Sequence, residues 1–448
     1  MPYTSAERLE FWDPAFTYVI GHQRPDTDAI ASALGYAWFL TETGQENIQA
    51  ARTGQPGEQT TYALKRFEQP APTLLTAVAT TFHHVAEPRV TVTPDAPLSE
   101  ALALLGHGEQ MVPIVDDERK PLGVVTPLAL ARAYSRSLGD NGRRAERDEP
   151  TCGELRENVP TYTERERISD HRGALLRADG NQFLVVDENG RYVGIASQHR
   201  VLQPPRVRLI LVDHNELTQA VVGAEEAEIV AVLDHHRLGN PPTAAPIPFL
   251  VDPVGSTSTL VAEQCRAKRK TPPRSIAGML LSGILSDTLV FRSPTTSDRD
   301  REIADWLAVV CRINVELYGH ELLSAAPGLG SRTADNILDS DRKSYNMSGI
   351  MVSIGQVEVT GMQELPQRRE ELLLAMCDRI ARENLQLFCL MITDVVTGTS
   401  ILLCEGDRQF ISELPFARTR DHEFNLGDMV SRKKQLAPAV QNAIETAL

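Results

Sequence analysis

Apolar runs alternate with amphipathic stretches along this chain, and several of the apolar runs end in acid or imidazole. Residues 16–30 read FTYVIGHQRPDTDAI, 208–215 read RLILVDHN, 228–236 read EIVAVLDHH and 281–289 read LSGILSDTL. Short β-branched and aliphatic runs bounded by polar residues predict strands that end where Asp or His appears. The first run is followed by the helical pattern TDAIASALGYAWFLTETG, closed by Gly44, a residue suited to a helix C-terminus. A second strand (NIQAART) and a second helix (GEQTTYALKRF) follow, and a βαβα succession predicts a parallel sheet.

The texture then changes. PAPTLL at 70–75 reads as a linker, and residues 90–136 and 151–202 resemble each other. Each has a polar opening with turn residues, a helix, a short strand ending in acid (MVPIVDDERKPLGVVT and QFLVVDENGRYVGIAS) and then another helix, an internal repeat of roughly 60 residues. The charged stretch GDNGRRAERDEP links the copies. After PPRVR at 204–208 the strand and helix alternation resumes, with helices at STSTLVAEQCRAKRK, SIAGMLLSGILSD and SDRDREIADWLAVVCRI. From about residue 325 a separate α+β unit is predicted, ending in SRKKQLAPAVQNAIETAL. The expected organisation is an α/β, parallel-sheet domain in two parts (1–71 and 206–324). It is interrupted by a paired insert (72–205, divided at about 148/149) and followed by a C-terminal α+β domain (325–448).

A chain of 448 residues is too long for one core and implies two to four domains. No apolar run approaches the roughly 20 residues of a membrane span, and MPYTSAERLEFWD has no signal-peptide core. The six cysteines include no CxxC pair, so buried free thiols and a reducing cytoplasm are expected. The net charge of −15 disfavours nucleic acid and anionic membranes as partners. A small anionic substrate stays open, because bound cations reverse the local charge.

In an open α/β sheet, ligands bind at the carboxyl ends of the strands. His22, Asp26, Asp28, Asp213, His235 and Asp287 are therefore expected in one crevice, a cage of carboxylate and imidazole suited to two divalent cations. Asp26 or Asp28 alternatively caps the helix starting near Ala29. Asp213 is a candidate bridge between two ions. His235 and His236, adjacent at a strand end, are expected to point in opposite directions, one to metal and one to substrate, with Asp234 orienting an imidazole. Asp287 would be costly in its apolar surroundings unless it ligates metal. Arg432, Lys433 and Lys434 are a basic triplet in an acidic chain, a candidate anion clamp with Lys343 as partner.

GHQRPDTDAIASALGYA, LVDHNE, LDHHR, GILSDTLVFRSPT and SRKKQ together resemble a family II inorganic pyrophosphatase of the DHH phosphoesterase superfamily over 17–70 and 206–448. The insert resembles a pair of CBS domains. The resemblance implies hydrolysis of pyrophosphate to two phosphates. One metal would be held by His22, Asp26 and Asp213, and a second by Asp28, Asp213, His235 and Asp287. His236, Lys343, Arg432 and Lys433 would bind pyrophosphate oxygens. It implies Mn²⁺ or Co²⁺ at the two sites, Mg²⁺ arriving with substrate, AMP, ADP or ATP as regulators, and a homodimer through the insert. The nucleotide pattern is incomplete, because Gly123-Val124-Val125-Thr126 is followed by Ala129 and Gly194-Ile195-Ala196-Ser197 by Arg200, where the resemblance calls for a ribose-binding Asp. Alternatives are a polyphosphate exohydrolase, another DHH phosphoesterase, though the Gly-Gly-Gly-His motif of several is lacking, or a catalytically inactive nucleotide sensor.

Overall fold

The computed structural model describes residues 9–139, 149–178, 180–239, 243, 245–325, 328–330, 332–359, 361–395 and 397–448. The charged link between the insert's copies lies largely outside them. Six strands form an all-parallel sheet: Thr17–Ile20, Ile48–Arg52, Thr73–Leu74, Arg208–Val212, Glu228–Asp234 and Phe249–Val251. In space their order is third, second, first, fourth, fifth, sixth. The order reverses between the first and fourth strands, where Val19 pairs with Ile210, and such a switch point opens a crevice at the strand ends.

Strand alternation divides the core between the two faces. Val19, Ile210, Val212, Ala231 and Leu233 face the helices. Tyr18, Ile20, Leu209 and Leu211 face a layer built from Trp12, Leu75, Val78 and Val207. The helix Thr27–Glu42 is buried almost all round and lies against the helix Arg274–Asp287. The two approach so closely at Gly35 that a Cβ there would meet a Leu280 methyl at 2.5 Å.

Two sequence expectations change. Thr73–Leu74 pairs with Ala51–Arg52 at the sheet edge, and Leu75 and Val78 belong to the core. The insert proper therefore begins near Thr80 and not at 72. Asp287 is the last residue of a helix, which bears out the helix read at SIAGMLLSGILSD over the strand end read at LSGILSDTL, so three strand ends and one helix end meet at the crevice.

The insert leaves and rejoins the sheet domain at one place, since the Thr80 hydroxyl donates to the carbonyl of Pro205 at 3.1 Å. Each copy carries a helix, two antiparallel strands where the repeat predicts one strand ending in acid, and a second helix. These are Leu98–Gly106, Val112–Val115, Pro121–Val125 and Pro127–Gly139, then Ile168–Arg177, Gln182–Val186, Tyr192–Ser197 and Gln198–Leu202. The copies exchange edges. Ala86–Glu87, ahead of the first copy, pairs with Ile195–Ala196 of the second, and Glu157, in the opening of the second, bridges to Val124 of the first.

The C-terminal unit is a six-stranded mixed sheet. Its one parallel pairing, Ile350–Val359 with Leu387–Asp394, is joined through the helix Leu365–Glu383, as a crossover connection requires. The helix Ala437–Ala447 covers the opposite face. The cysteines are all free and buried except Cys377, which is exposed, and the Cys389 and Cys404 sulfurs lie 3.2 Å apart on paired strands. Among the described residues, no helix is long and apolar enough to cross a membrane.

Candidate metal centre

The crevice at the switch point gathers the predicted residues into overlapping groups. His22, Asp26 and Asp213 form one, and Asp28, Asp213, His235 and Asp287 another, the candidate ligand atoms of each lying within 4.8 Å of one another. Asp213 is common to both, and its two oxygens face different ways. Oδ2 is 3.4 Å from His22 Nε2, and Oδ1 is 3.4 Å from His235 Nε2. His22 Nε2 is also 3.5 Å from Asp26 Oδ2, and His235 Nε2 is 3.6 Å from Asp287 Oδ2.

Local structure explains the placement. Asp213 N–H donates to Leu233 O at 3.0 Å, continuing the sheet ladder. Its φ of +62° then turns the chain sharply, a left-handed conformation Asp tolerates better than bulkier residues. Asp26 caps the following helix, Oδ1 accepting from Ala29 N–H at 2.9 Å, and the cap leaves Oδ2 facing His22, so capping does not preclude the other role. Asp28 lies fully buried beneath the N-terminus of the helix Thr257–Ala267. It accepts from Ser256 Oγ at 2.7 Å, Thr257 N–H at 2.7 Å, Ser258 N–H at 3.0 Å and Ser258 Oγ. That helix start is itself fixed by Asp300, which accepts from Gly255 N–H at 2.8 Å and Thr259 Oγ1 at 2.6 Å.

The adjacent histidines do not point in opposite directions. Their ring centroids are 4.3 Å apart, and both rings approach Asp213 Oδ1, His236 Nδ1 at 3.9 Å. Alternation lapses because the strand ends at Asp234. Asp234 orients His236, accepting its Nδ1–H at 2.8 Å, whereas His235 donates Nδ1–H to Val254 O at 3.1 Å. In the neutral ring this leaves Nε2 of His235 as the acceptor, the state a metal requires. Asn215 ties the two strand ends together by donating to Asp234 and to Arg237 O.

Electrostatics mark the cluster as short of positive charge. Burial lowers the pKa of His22, but the Asp213 and Asp26 carboxylates outweigh it and lift it to about 10. The same balance with Asp213 lifts His235 to about 9. Burial, reinforced by the charge of Asp213, raises Asp28 to about 7. Asp287 is pushed well up by burial and by Asp28 and Asp26. Asp213 is held low by its histidines despite burial. Asp213 Oδ2 and His235 Nε2 are buried without a hydrogen-bond partner among the described residues. Two ligands each about 2.1 Å from one ion lie roughly 3.0–3.4 Å apart, close to the spacings here. The donor set fits divalent cations.

The basic residues are gathered separately on the C-terminal unit. Arg432 is buried, with Nη2 2.9 Å from Asp341 Oδ1 and Nη1 3.5 Å from the Tyr345 hydroxyl. Lys343 opens the strand Lys343–Met347 and is exposed, as is Lys433. Among the described residues no ion pair joins Lys343, Arg432 or Lys433 to the metal cluster. A cleft of about 370 Å³ separates the two units, with Gln59 and Ser286 on one side and Asp341, Gln356 and Glu358 on the other. Sequence reasoning missed the Asp28 cradle and Asp300. The run GSTST was legible as a helix start, but nothing local says which carboxylate its donors hold.

Residues 17–284 match the DHH family, N-terminal domain, and residues 320–443 match the DHHA2 domain. The chain is 27% identical to the "Probable manganese-dependent inorganic pyrophosphatase" of Thermotoga maritima, over 94% of this chain and 97% of that protein. It is 40% identical to the protein of the same description from Enterococcus faecalis, over 52% of this chain and 75% of the relative. A solved Methanococcus jannaschii structure shares the fold at a TM-score of 0.55, with 24% identity, 96% of this chain and 100% of that one covered. A parallel sheet with paired carboxylate–imidazole groups at its switch point defines a DHH-type phosphoesterase. Within that class, the chain belongs to the family II, manganese-dependent inorganic pyrophosphatases.

Proposed function

We propose that this protein hydrolyses inorganic pyrophosphate to two phosphates, using two divalent cations, preferably Mn²⁺ or Co²⁺, with Mg²⁺ accompanying the substrate. The observation that carries the reading is Asp213, one buried carboxylate whose oxygens face two separate ligand groups. His22, Asp26 and Asp213 would hold one ion, and Asp28, Asp213, His235 and Asp287 the other. When bound, the ions supply a lowered pKa for water and neutralise charge on the phosphoryl groups.

The remaining work falls to side chains. The donors from Ser256, Thr257 and Ser258 keep Asp28 in place. Asp234 holds the His236 ring and, by accepting its Nδ1–H, raises its pKa. The imidazolium so favoured donates Nε2–H to a phosphoryl oxygen. Lys343 and Lys433 reach from the C-terminal unit to the phosphate, and Arg432 shares its guanidinium between Asp341 and the substrate. Pre-placed donors of this kind stabilise charge without reorganising during the reaction. Water attacks one phosphorus in line, and no covalent enzyme intermediate forms. Closure of the cleft excludes bulk water.

The insert is the regulatory element in this reading, responding to AMP, ADP or ATP and associating two copies of the chain. Its position supports the first role, since the chain passes from it directly into the strand that delivers Asp213. Leu102, Leu128 and Leu176, exposed on its helices, support the second. A nucleotide has local ion pairs to displace. Arg200, where an Asp would hold ribose, pairs with Glu87, and Glu157 accepts from Thr126 at 2.6 Å and Arg132 at 2.9 Å.

Phosphate release from pyrophosphate with Mn²⁺, Co²⁺ or Mg²⁺, with and without each nucleotide, tests the whole reading. Turnover is expected with each metal, and fastest with Mn²⁺ or Co²⁺. No release with any of them would overturn it.

A further inference from the structure

The cleft between the two units contains a cation that the mechanism above does not use. Arg332 lines it together with Gln59, Ser286, Asp341, Gln356 and Glu358. It is half-buried and makes no ion pair or side-chain hydrogen bond with a described residue. Enclosure lowers its pKa, partly offset by Glu58 and Glu358, the carboxylates near enough to act on it. A guanidinium has five N–H donors and no acceptor, and withdrawing it from water without a partner is unfavourable.

The arginine is also delivered on a braced turn. Arg368 donates to the carbonyls of Leu329 and of Arg332 itself, the latter at 3.0 Å. Gly330 N–H donates to Glu364 at 2.7 Å, Leu329 is buried in the core, and Thr333 caps the helix Ala334–Leu338. Leu329, Gly330 and Arg332 are thus each held by bonds or packing, while Arg332 lines the cleft. Across the cleft stands Ser286, next to the candidate metal ligand Asp287. Through Ser286 the cleft adjoins the end of the helix that carries Asp287, so an anion held at the cluster would have this space beside it, and Arg332 is the arginine among its lining residues.

We infer that Arg332 is a further substrate-binding residue, engaging the phosphoryl group that lies away from the metal cluster. This rests on the pyrophosphatase reading. A planar fork suits two phosphoryl oxygens at once, whereas lysine offers a point charge. Glu358, on the same wall, keeps the cleft from holding anions indiscriminately, because its carboxylate repels any anion not also drawn by the metals.

The test compares Arg332→Ala and Arg332→Lys with the unaltered protein by steady-state phosphate release. Alongside, calorimetric binding of imidodiphosphate to the Mn²⁺-loaded protein is measured, with metal content and melting temperature recorded. Arg332→Ala is expected to raise KM for pyrophosphate and weaken imidodiphosphate roughly ten- to hundredfold, as for loss of a charge-assisted hydrogen bond. Its kcat should fall much less, and Arg332→Lys should lie between. Unchanged KM and imidodiphosphate affinity in a folded, metal-loaded variant would overturn the inference. So would an equal loss of kcat with no change in either binding measure. If the unaltered protein releases no phosphate, the pyrophosphatase reading falls by itself. The calorimetric arm then still decides Arg332, with equal affinities, or no binding by either protein, counting against it.

Discussion

Replacing Asp300 with alanine should damage one of the two proposed metal sites from a distance. Asp300 is completely buried and accepts from Gly255 N–H, Ser297 N–H, Ser297 Oγ and Thr259 Oγ1 at 2.6–2.8 Å. The hydroxyls can rotate to other acceptors, but the two backbone N–H groups cannot. Hydrogen bonds to a charged group contribute about 1.5–3 kcal/mol each, so the fixed pair alone represents about 3–6 kcal/mol. Relief from burying a charge offsets part of this, which favours the lower end of about 3 kcal/mol. That is a large share of a typical domain's stability. The loss falls on the turn that carries Ser256, Thr257 and Ser258, and therefore on Asp28. His22, Asp26 and Asp213 are held by other segments. Urea unfolding gives the stability change, and calorimetric Mn²⁺ titration at a temperature where the variant is folded counts the sites. One site should weaken while the other is preserved. A folded Asp300→Ala protein within 1 kcal/mol of the parent, binding two ions with parental affinities, would refute the reasoning.

Asp213→Asn should weaken both metal sites together and abolish most activity, since an amide carries no charge to share; two ions bound with near-parental turnover would show that it does not bridge. In the metal-free protein, His22, His235, Asp28 and Asp287 all bind protons more tightly folded than unfolded. Stability is therefore fully present below the unfolded pKa values of 3.8 and 6.5 and is lost as pH rises, through about 7 for Asp28 and about 9–10 for the histidines. The low Asp213 acts with the opposite sign, but only in strong acid. Melting temperature without metal should accordingly fall between pH 6 and 9, and Mn²⁺ should stabilise more at the upper end with release of protons; a flat metal-free profile would contradict this. Deleting residues 81–204 with a short linker should leave a folded enzyme without nucleotide response, because Thr80 and Pro205 already touch. Deletion from residue 72 should instead be unstable, for it removes a sheet strand and the core residues Leu75 and Val78. Comparing the two melting curves decides the point.

The sheet, the repeat in the insert and the clustering of the candidate ligands were legible because each has a local signature: apolar runs of strand length, a repeated segment, and acid or imidazole at the run ends. Asp287 was singled out as a candidate ligand, but its run was read both as a strand end and as a helix, since an apolar run of that length suits a strand or a buried helix equally. His235 and His236 were read by alternation, which lapses where the strand stops. The insert boundary was misplaced because PAPTLL has linker composition, yet its last two residues are tied into the sheet and core by partners distant in sequence. Asp300 and Arg332 were beyond reach for the same reason. Asp300 looks like half of a capping box, which it is, and its grip on Gly255 exists only in three dimensions. Arg332 is one of many surface-type arginines until the fold encloses it.

The strand order also has a consequence for how the molecule is made. Thr17–Ile20 emerges early in synthesis but ends as an interior strand, flanked by Ile48–Arg52 on one side and Arg208–Val212 on the other. Until the insert has been translated, one edge of the nascent sheet waits unpaired, an open template for wrong association. Such long-range closure is intrinsically slow. The insert's exchanged edges let it settle as a body of its own meanwhile. His22, Asp26 and Asp28 are joined only by residues from beyond the insert, so an ion at the proposed sites would recognise the finished molecule and not its precursor. At a hundredfold excess over its dissociation constant, a ligand so restricted stabilises the native state by about 2.7 kcal/mol. Manganese supply during synthesis should therefore influence how much chain reaches the native state, besides setting the activity of what does.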